Sequence, residues 1–200
     1  MNIGWNIETY VSIVTLVLSV IFSIVIIKID WKKYGFLYLL SAIVGVILCY
    51  IFIYLGLYTF PYRLFPSISR IPFTAILTIF PLYVLLGVRY SPKSWSWKIP
   101  FYWTMVHIGM FSEAWAEHST QLIKYNSPWD TWDSYTWWWI YLLVFEWVGG
   151  LIVSQESRKP IDQEFLRHGK LGWFIVHFIL ICTIFLAGVY MQTLLLNPKR

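Results

Sequence analysis

The sequence predicts an all-α polytopic membrane protein, a bundle of about six transmembrane helices forming one integral domain over residues 1–200. Three observations predict it. The chain is 58% hydrophobic and only 12% charged, whereas a soluble domain carries about 25% charge. Apolar runs of about twenty residues recur along the whole length, and each matches a hydrocarbon core about 30 Å thick. The longest polar stretch, 154–169, is too short to form a water-soluble domain.

The first helix is expected over 10–29, a Val- and Ile-rich run with no charge until Lys28. No Lys or Arg precedes it, and Lys28, Lys32 and Lys33 follow it. That arrangement predicts an uncleaved first helix with its N-terminus outside. Ser12, Ser19 and Ser23 can bond back to their own helix or to a neighbour. The second helix is expected over 35–60, where Ser41 and Gly45 form a small-xxx-small pair suited to close helix contact.

Residues 61–72 read PYRLFPSISRIP, and three prolines there rule out a continuous helix. Arg63 and Arg70 are expected on headgroups, or folded back onto a carboxylate of the fourth helix. The third helix, 73–88, is short and contains Pro81, so a kinked span is expected, with a re-entrant segment as the alternative. A basic loop with Trp95 and Trp97 leads to the fourth helix, 99–121.

This fourth helix carries the densest set of ionisable groups in any span: His107, Glu113, Glu117 and His118, with Gln121. Such groups are costly in a bilayer and face a bundle interior, a partner or water. At about 100° per residue, Glu113, Glu117 and Gln121 share one stripe, and His107 and His118 share another. Carboxylates at i and i+4 repel if both ionise, so at least one should be paired or protonated. The expected neighbours are an Arg, a Lys or a polar aromatic residue, with Arg63 and Lys124 as the ion-pair candidates.

The fifth helix is expected over 134–154, with Asp133 as its N-cap and Trp137, Trp138 and Trp139 as an interfacial belt. It carries Glu146 near its middle, and Gly149-Gly150 permits close approach of another backbone. The sixth, 171–196, carries His177. Measured from the ends of their helices at about 1.5 Å per residue, His107, Glu146 and His177 lie at similar depth. If the last three helices pack together, these groups could share protons or hold a cation.

Loops 1, 3 and 5 hold three, three and four Lys or Arg residues. The other side holds none at the N-terminus, two in loop 2, one in loop 4 and two at the C-terminus. This asymmetry puts the odd loops in the cytoplasm and both termini outside the cell membrane. The net charge of +5 therefore reflects orientation and contact with lipid headgroups rather than nucleic-acid binding.

No HExxH helix, GxSxG elbow, phosphate-binding loop or dinucleotide fingerprint is present. Glu113, Glu117 and His118 have metal-ligand chemistry, but no second ExxH completes a carboxylate-bridged site. Cys49 and Cys182 lack thiolate-site spacing. No metal or cofactor is expected. The Arg63-Leu64-Phe65-Pro66 loop, Glu117, Ile123-Lys124-Tyr125 and the aromatic approach to the fifth helix at Trp129 resemble a group of small multipass membrane proteins of endospore-forming Gram-positive bacteria. The resemblance implies a membrane location and no particular chemistry.

The functional expectation is a non-enzymatic membrane component or accessory subunit. It would work through the lipid bilayer, a membrane-protein partner or a second copy of itself. The alternatives are a small proton-linked carrier using the intramembrane Glu and His residues, and a membrane-embedded metal-dependent enzyme. No internal repeat relates 1–98 to 99–200, which weighs against a carrier built from repeats.

Overall fold

A computed structural model describes residues 3–161 together with residues 177, 178, 180, 181, 183 and 191. The expected helix over 171–196 otherwise lies outside the described residues. The described helices are α1 (Ile7–Ile27), α2 (Trp31–Tyr54), α3 (Phe73–Ile76), α4 (Ile79–Tyr90), α5 (Trp95–Ser119) and α6 (Thr131–Ile152). Between them lie two short strands, β1 (Tyr58–Thr59) and β2 (Lys124–Tyr125), and a 3-10 turn follows at Gln155–Ser157. Among the described residues, three segments are long and apolar enough to cross a membrane: α1, α2, and α3 with α4 as Phe73–Tyr90. Helices α5 and α6 have 25 and 22 residues, about 37 and 33 Å at 1.5 Å per residue, but are more polar.

Helix α1 begins where the Asn6 side chain accepts from Thr9 N. Its buried positions include Ser19, Ser23 and Ile26, a stripe of helical spacing. Small side chains there let α1 approach α2 and α4.

Helix α2 starts earlier than its apolar pattern implies, because Asp30 accepts from Lys33 N and caps it. It also ends earlier, at Tyr54 rather than at Phe60. Gly56 takes φ 71°, the left-handed region. Gly56 N donates to Ile53 O, and Leu57 N to Phe52 O. Those two bonds are the Schellman arrangement that glycine makes accessible after a helix C-terminus. The chain then extends, and Tyr58–Thr59 pairs antiparallel with Lys124–Tyr125.

The expected third helix is interrupted rather than kinked. Pro81 has no N–H for the carbonyl four residues earlier, and its ring crowds that carbonyl. Helix α3 accordingly stops at Ile76 and α4 restarts at Ile79, placing Pro81 in a first turn, where its missing N–H costs nothing. The Tyr38 hydroxyl of α2 donates to the Leu77 carbonyl that Pro81 cannot serve.

Helix α6 is capped by Asp130, not Asp133. The Asp130 side chain accepts from Trp132 N and Asp133 N, and Asp133 Oδ2 accepts from Asp130 N at 2.9 Å. Asp133 therefore closes a capping box from the third helical position.

Counting α3 with α4 as one span, the chain runs back and forth between two ends. At one end, Thr9 Oγ1 and Tyr62 OH lie 2.6 Å apart and Tyr62 N donates to Gln121 O. This end, called the strand end below, gathers the start of α1, residues 55–72 and residues 120–130. At the opposite end, Tyr34 OH donates to Ser157 O and Lys159 N donates to Arg89 O. The core lies between α2, α4, α5 and α6, around Tyr34, Leu37, Leu85, Val88, Tyr102, Val106 and Leu142. Gly149 is required there, since a Cβ on it would stand 2.3 Å from Val88 Cγ2.

Candidate functional site

Two polar sites lie inside the helical body. The first is centred on Glu146 at the end opposite the strands. Glu146 is only 2% exposed. Its Oε1 accepts from Arg158 Nη1 at 3.0 Å and from Lys98 Nζ. Its Oε2 accepts from Tyr102 OH at 2.7 Å and Ser91 Oγ at 3.0 Å. Four donors fill the lone-pair positions of an ionised carboxylate. Arg158 also donates from Nε to Val153 O at 3.2 Å, and Lys98 lies 4.9 Å from the Trp95 ring centre. The cluster ties the end of α6 and the segment after it to the α4–α5 turn and the start of α5. A carboxylate so fully engaged holds structure and has no free position to offer a ligand.

The level expected to bring Glu146 to His107 instead brings it to Tyr102 and Lys98. His107 Nδ1 donates to Trp103 O at 2.7 Å, and its ring packs 5.4 Å from Tyr135. Tyr135 and Glu146 are eleven residues apart on α6, about 16 Å along its axis. His107 thus sits well toward the strand end. His177 is among the described residues, in helical conformation and exposed.

The second site is at the strand end. A cavity of about 870 Å³ lies there, lined by residues of α1, α2, α3, α4, α5 and α6. The first two-thirds of α1, the second halves of α2 and α5, and the first half of α6 line it, so it occupies the half of the body nearest the strands. Most of its wall is aliphatic or aromatic, including Phe22, Phe52, Ile79, Trp115 and Trp137. Its charged lining residues are Arg63 and Glu113.

Glu113 is held by two neutral donors. Tyr125 OH donates to Oε1 and Trp138 Nε1 donates to Oε2, each at 2.7 Å. Tyr125 is on β2, so the strand pairing that follows from the end of α2 also sets this contact. Burial pushes the Tyr125 hydroxyl well above its ordinary pKa, with the Glu113 charge adding to the shift, so it remains a donor. Trp138 stacks on Phe80 at 5.0 Å between ring centres, which fixes the indole N–H toward Glu113.

Glu117 and His118 lie further along α5. His118 Nδ1 is 2.8 Å from Glu117 Oε2 and 2.9 Å from Ala114 O, with its side chain 75% exposed. Neither expected cation reaches a helix carboxylate. Lys124 Nζ donates to the Glu117 main-chain carbonyl, and Arg63 Nη1 donates to Phe60 O at 2.8 Å and Arg70 O at 3.2 Å. Among the described residues no three His, Cys, Asp or Glu side chains gather as a metal site.

Sequence reasoning missed Lys98, Arg158, Tyr102 and Ser91 as partners of Glu146; for Glu113 it expected a polar aromatic partner without naming Tyr125 or Trp138. The only signal for the first set was that a lone carboxylate in an apolar helix requires some partner. Comparison with protein-family models, curated proteins and solved structures finds no match.

Proposed function

We propose that the chain is a polytopic protein of the cell membrane that works without catalysis, by holding an amphiphile with a hydrocarbon tail. About six helices would cross the bilayer, α5, α6 and the 171–196 segment joining the three apolar ones. The strand end would face outside and the Glu146 end the cytoplasm. The observation that carries this reading is the 870 Å³ cavity, bounded by the three helices apolar enough to cross a membrane and by α5 and α6. Its volume falls within the range of about 300–1,000 Å³ usual for small-molecule sites. An apolar space lined by helices that would cross a membrane would have the bilayer as its source of ligand. Two charged groups, Arg63 and Glu113, on a largely apolar wall suit a molecule with a polar head and a hydrocarbon tail.

The experiment is extraction in a mild detergent followed by native mass spectrometry. The expected result is a bound lipid-class molecule that survives purification from wild type. The cavity-filling pair Ser12→Phe and Thr15→Phe, both on the α1 wall, should lose it. A wild-type protein that carries and rebinds no amphiphile would overturn the reading.

The carrier alternative draws support from Glu113, a protonatable group that lines the cavity. It requires uptake of a protonated solute into proteoliposomes, which the lipid-holding reading does not.

A further inference from the structure

We infer that the amphiphile held in this cavity carries a protonated amine, and that Glu113 is the group that recognises it. The inference rests on the reading of the cavity as a lipid-type site.

Glu113 lies on the cavity wall with an acceptor position to spare on each oxygen. Tyr125 and Trp138 use one lone pair each, and an ionised carboxylate offers about four. Those two donors orient the carboxylate and bring no positive charge. The ion pairs of the described residues lie elsewhere, on Asp30, Glu117 and Glu146. Lys124, close in sequence, donates to the Glu117 carbonyl and forms no ion pair with Glu113. Arg63 lines the same cavity but turns Nη1 to the carbonyls of Phe60 and Arg70.

No cation among the described residues bonds to Glu113, and a ligand ammonium would supply that partner. The contrast with Glu146 sharpens the point. The same residue type, in the same fold, receives two cationic and two neutral donors where it has a structural task.

The walls fit the same chemistry. Trp129, Trp137, Trp138 and Tyr58 all line the cavity. Phe52 lies 4.8 Å from Trp137 and 5.0 Å from Trp129 between ring centres, and Tyr58 packs on Phe52 and Trp129, so these four rings form one group, while Trp138 stacks on Phe80. Aromatic faces attract cations and accept hydrocarbon equally well. Two kinds of molecule present an ammonium on a hydrocarbon tail: a phospholipid with an ethanolamine head, and a free long-chain amine.

The test compares dodecylamine with dodecanol and N-dodecylacetamide, each titrated against purified full-length protein in maltoside micelles and followed by tryptophan fluorescence. The acetamide keeps an N–H donor and removes the charge. Wild type should bind the amine at least about tenfold more tightly than either neutral probe, the scale of one charge-assisted hydrogen bond. Glu113→Gln should bring the three probes within about twofold of one another. Glu113→Asp, which keeps the charge, should retain a preference for the amine. Equal binding of all three probes by wild type overturns the inference while leaving the cavity reading intact. Binding of none of them overturns both. The sources are then separated by rebinding: retention of phosphatidylethanolamine over phosphatidylglycerol in native mass spectra assigns the phospholipid. Retention of dodecylamine with no preference between the two phospholipids assigns the free amine. Should Glu113→Gln fail to fold, the ratio of amine to acetamide in wild type decides by itself.

Discussion

Arg158 Nη1 lies 3.0 Å from Glu146 Oε1, although twelve residues and a helix C-terminus separate them in the chain. Lys98 approaches the same oxygen from the start of α5. Two cations and one anion therefore share a site where Lys98, Arg158 and Glu146 are 6%, 7% and 2% exposed. Replacing Glu146 with Gln removes the carboxylate that both cations share among the described residues and leaves them facing a neutral amide. The expected loss is about 3 kcal/mol or more, the cost of breaking a buried pair from one side. Glu156→Gln, on the exposed turn after α6, should change stability by less than about 0.5 kcal/mol. Thermal unfolding in detergent compares the two. A Glu146→Gln protein as stable as wild type would remove the cluster from any structural role.

The second prediction concerns Gly149. A Cβ there would stand 2.3 Å from Val88 Cγ2 and 2.8 Å from Cγ1. Val88 is 1% exposed and has little room to move. Gly149→Ala should therefore cost about 1–3 kcal/mol by overpacking. Val88→Ala in the same chain should recover part of that loss, which an effect of glycine on helix propensity alone would not allow. A double-mutant cycle in thermal unfolding checks it, and strict additivity would contradict the packing account.

The places where the sequence was and was not legible follow from the range of each signal. Helix existence and the strand-end loops came from local composition, and Gly149 announced a close approach because glycine has one main use there. Boundaries depended on single capping residues. Asp133 looked like a cap for α6, but the pair Asp130 and Asp133 makes a box whose cap is the earlier residue. The end of α2 was hidden because Leu57, Tyr58 and Phe60 continue its apolar run, while the break is made by Gly56 and by pairing with residues 124–125, far along the chain. Intramembrane acids were visible as anomalies, but their partners depend on which helices pack and in what register. Lys98 and Arg158 fall among the basic-loop residues of the sequence, and nothing local marks either for burial. Their burial is set by α6 lying against α4 and α5.

Topology gives the third prediction. Ser67 and Lys93 are both exposed and lie in loops at opposite ends of the body. In a chain with Cys49 and Cys182 replaced by Ser, a cysteine at position 67 should react with an impermeant maleimide on intact cells. One at position 93 should react only after lysis. The reverse pattern would invert the orientation drawn from the Lys and Arg asymmetry.

The fourth concerns the capping box. The Asp130 side chain serves Trp132 N and Asp133 N, and α6 carries both Trp138 and Glu146. Asp130→Ala should cost about 1 kcal/mol. Asp130→Asn should cost less, since it keeps the acceptor. Fraying of the first turn would also loosen the Trp129 indole, whose Nε1 donates to Ser134 Oγ at 2.7 Å. Equal stability of the Ala and Asn variants would mean that the side-chain acceptor is not what holds this terminus.

The last prediction joins Tyr38, Leu77 and Pro81. Pro81 lacks the N–H that a continuous helix would aim at the Leu77 carbonyl. The chain breaks at Leu77–Thr78, and the Tyr38 hydroxyl takes over that carbonyl from across the α2 contact. Removing the hydroxyl with Tyr38→Phe takes this donor from the Leu77 carbonyl, at a cost of about 1 kcal/mol. Pro81→Ala restores the N–H and permits α3 and α4 to join as one helix, so Leu77 would gain a main-chain donor and need Tyr38 less. The two substitutions should therefore be non-additive. Tyr38→Phe should cost clearly less in the Pro81→Ala chain than in wild type, by about 1 kcal/mol if the hydrogen bond is the whole of the coupling. Thermal unfolding of the four proteins of the cycle gives the coupling directly. Additive effects would mean that the tyrosine acts only by packing and that the break at Leu77 has another cause.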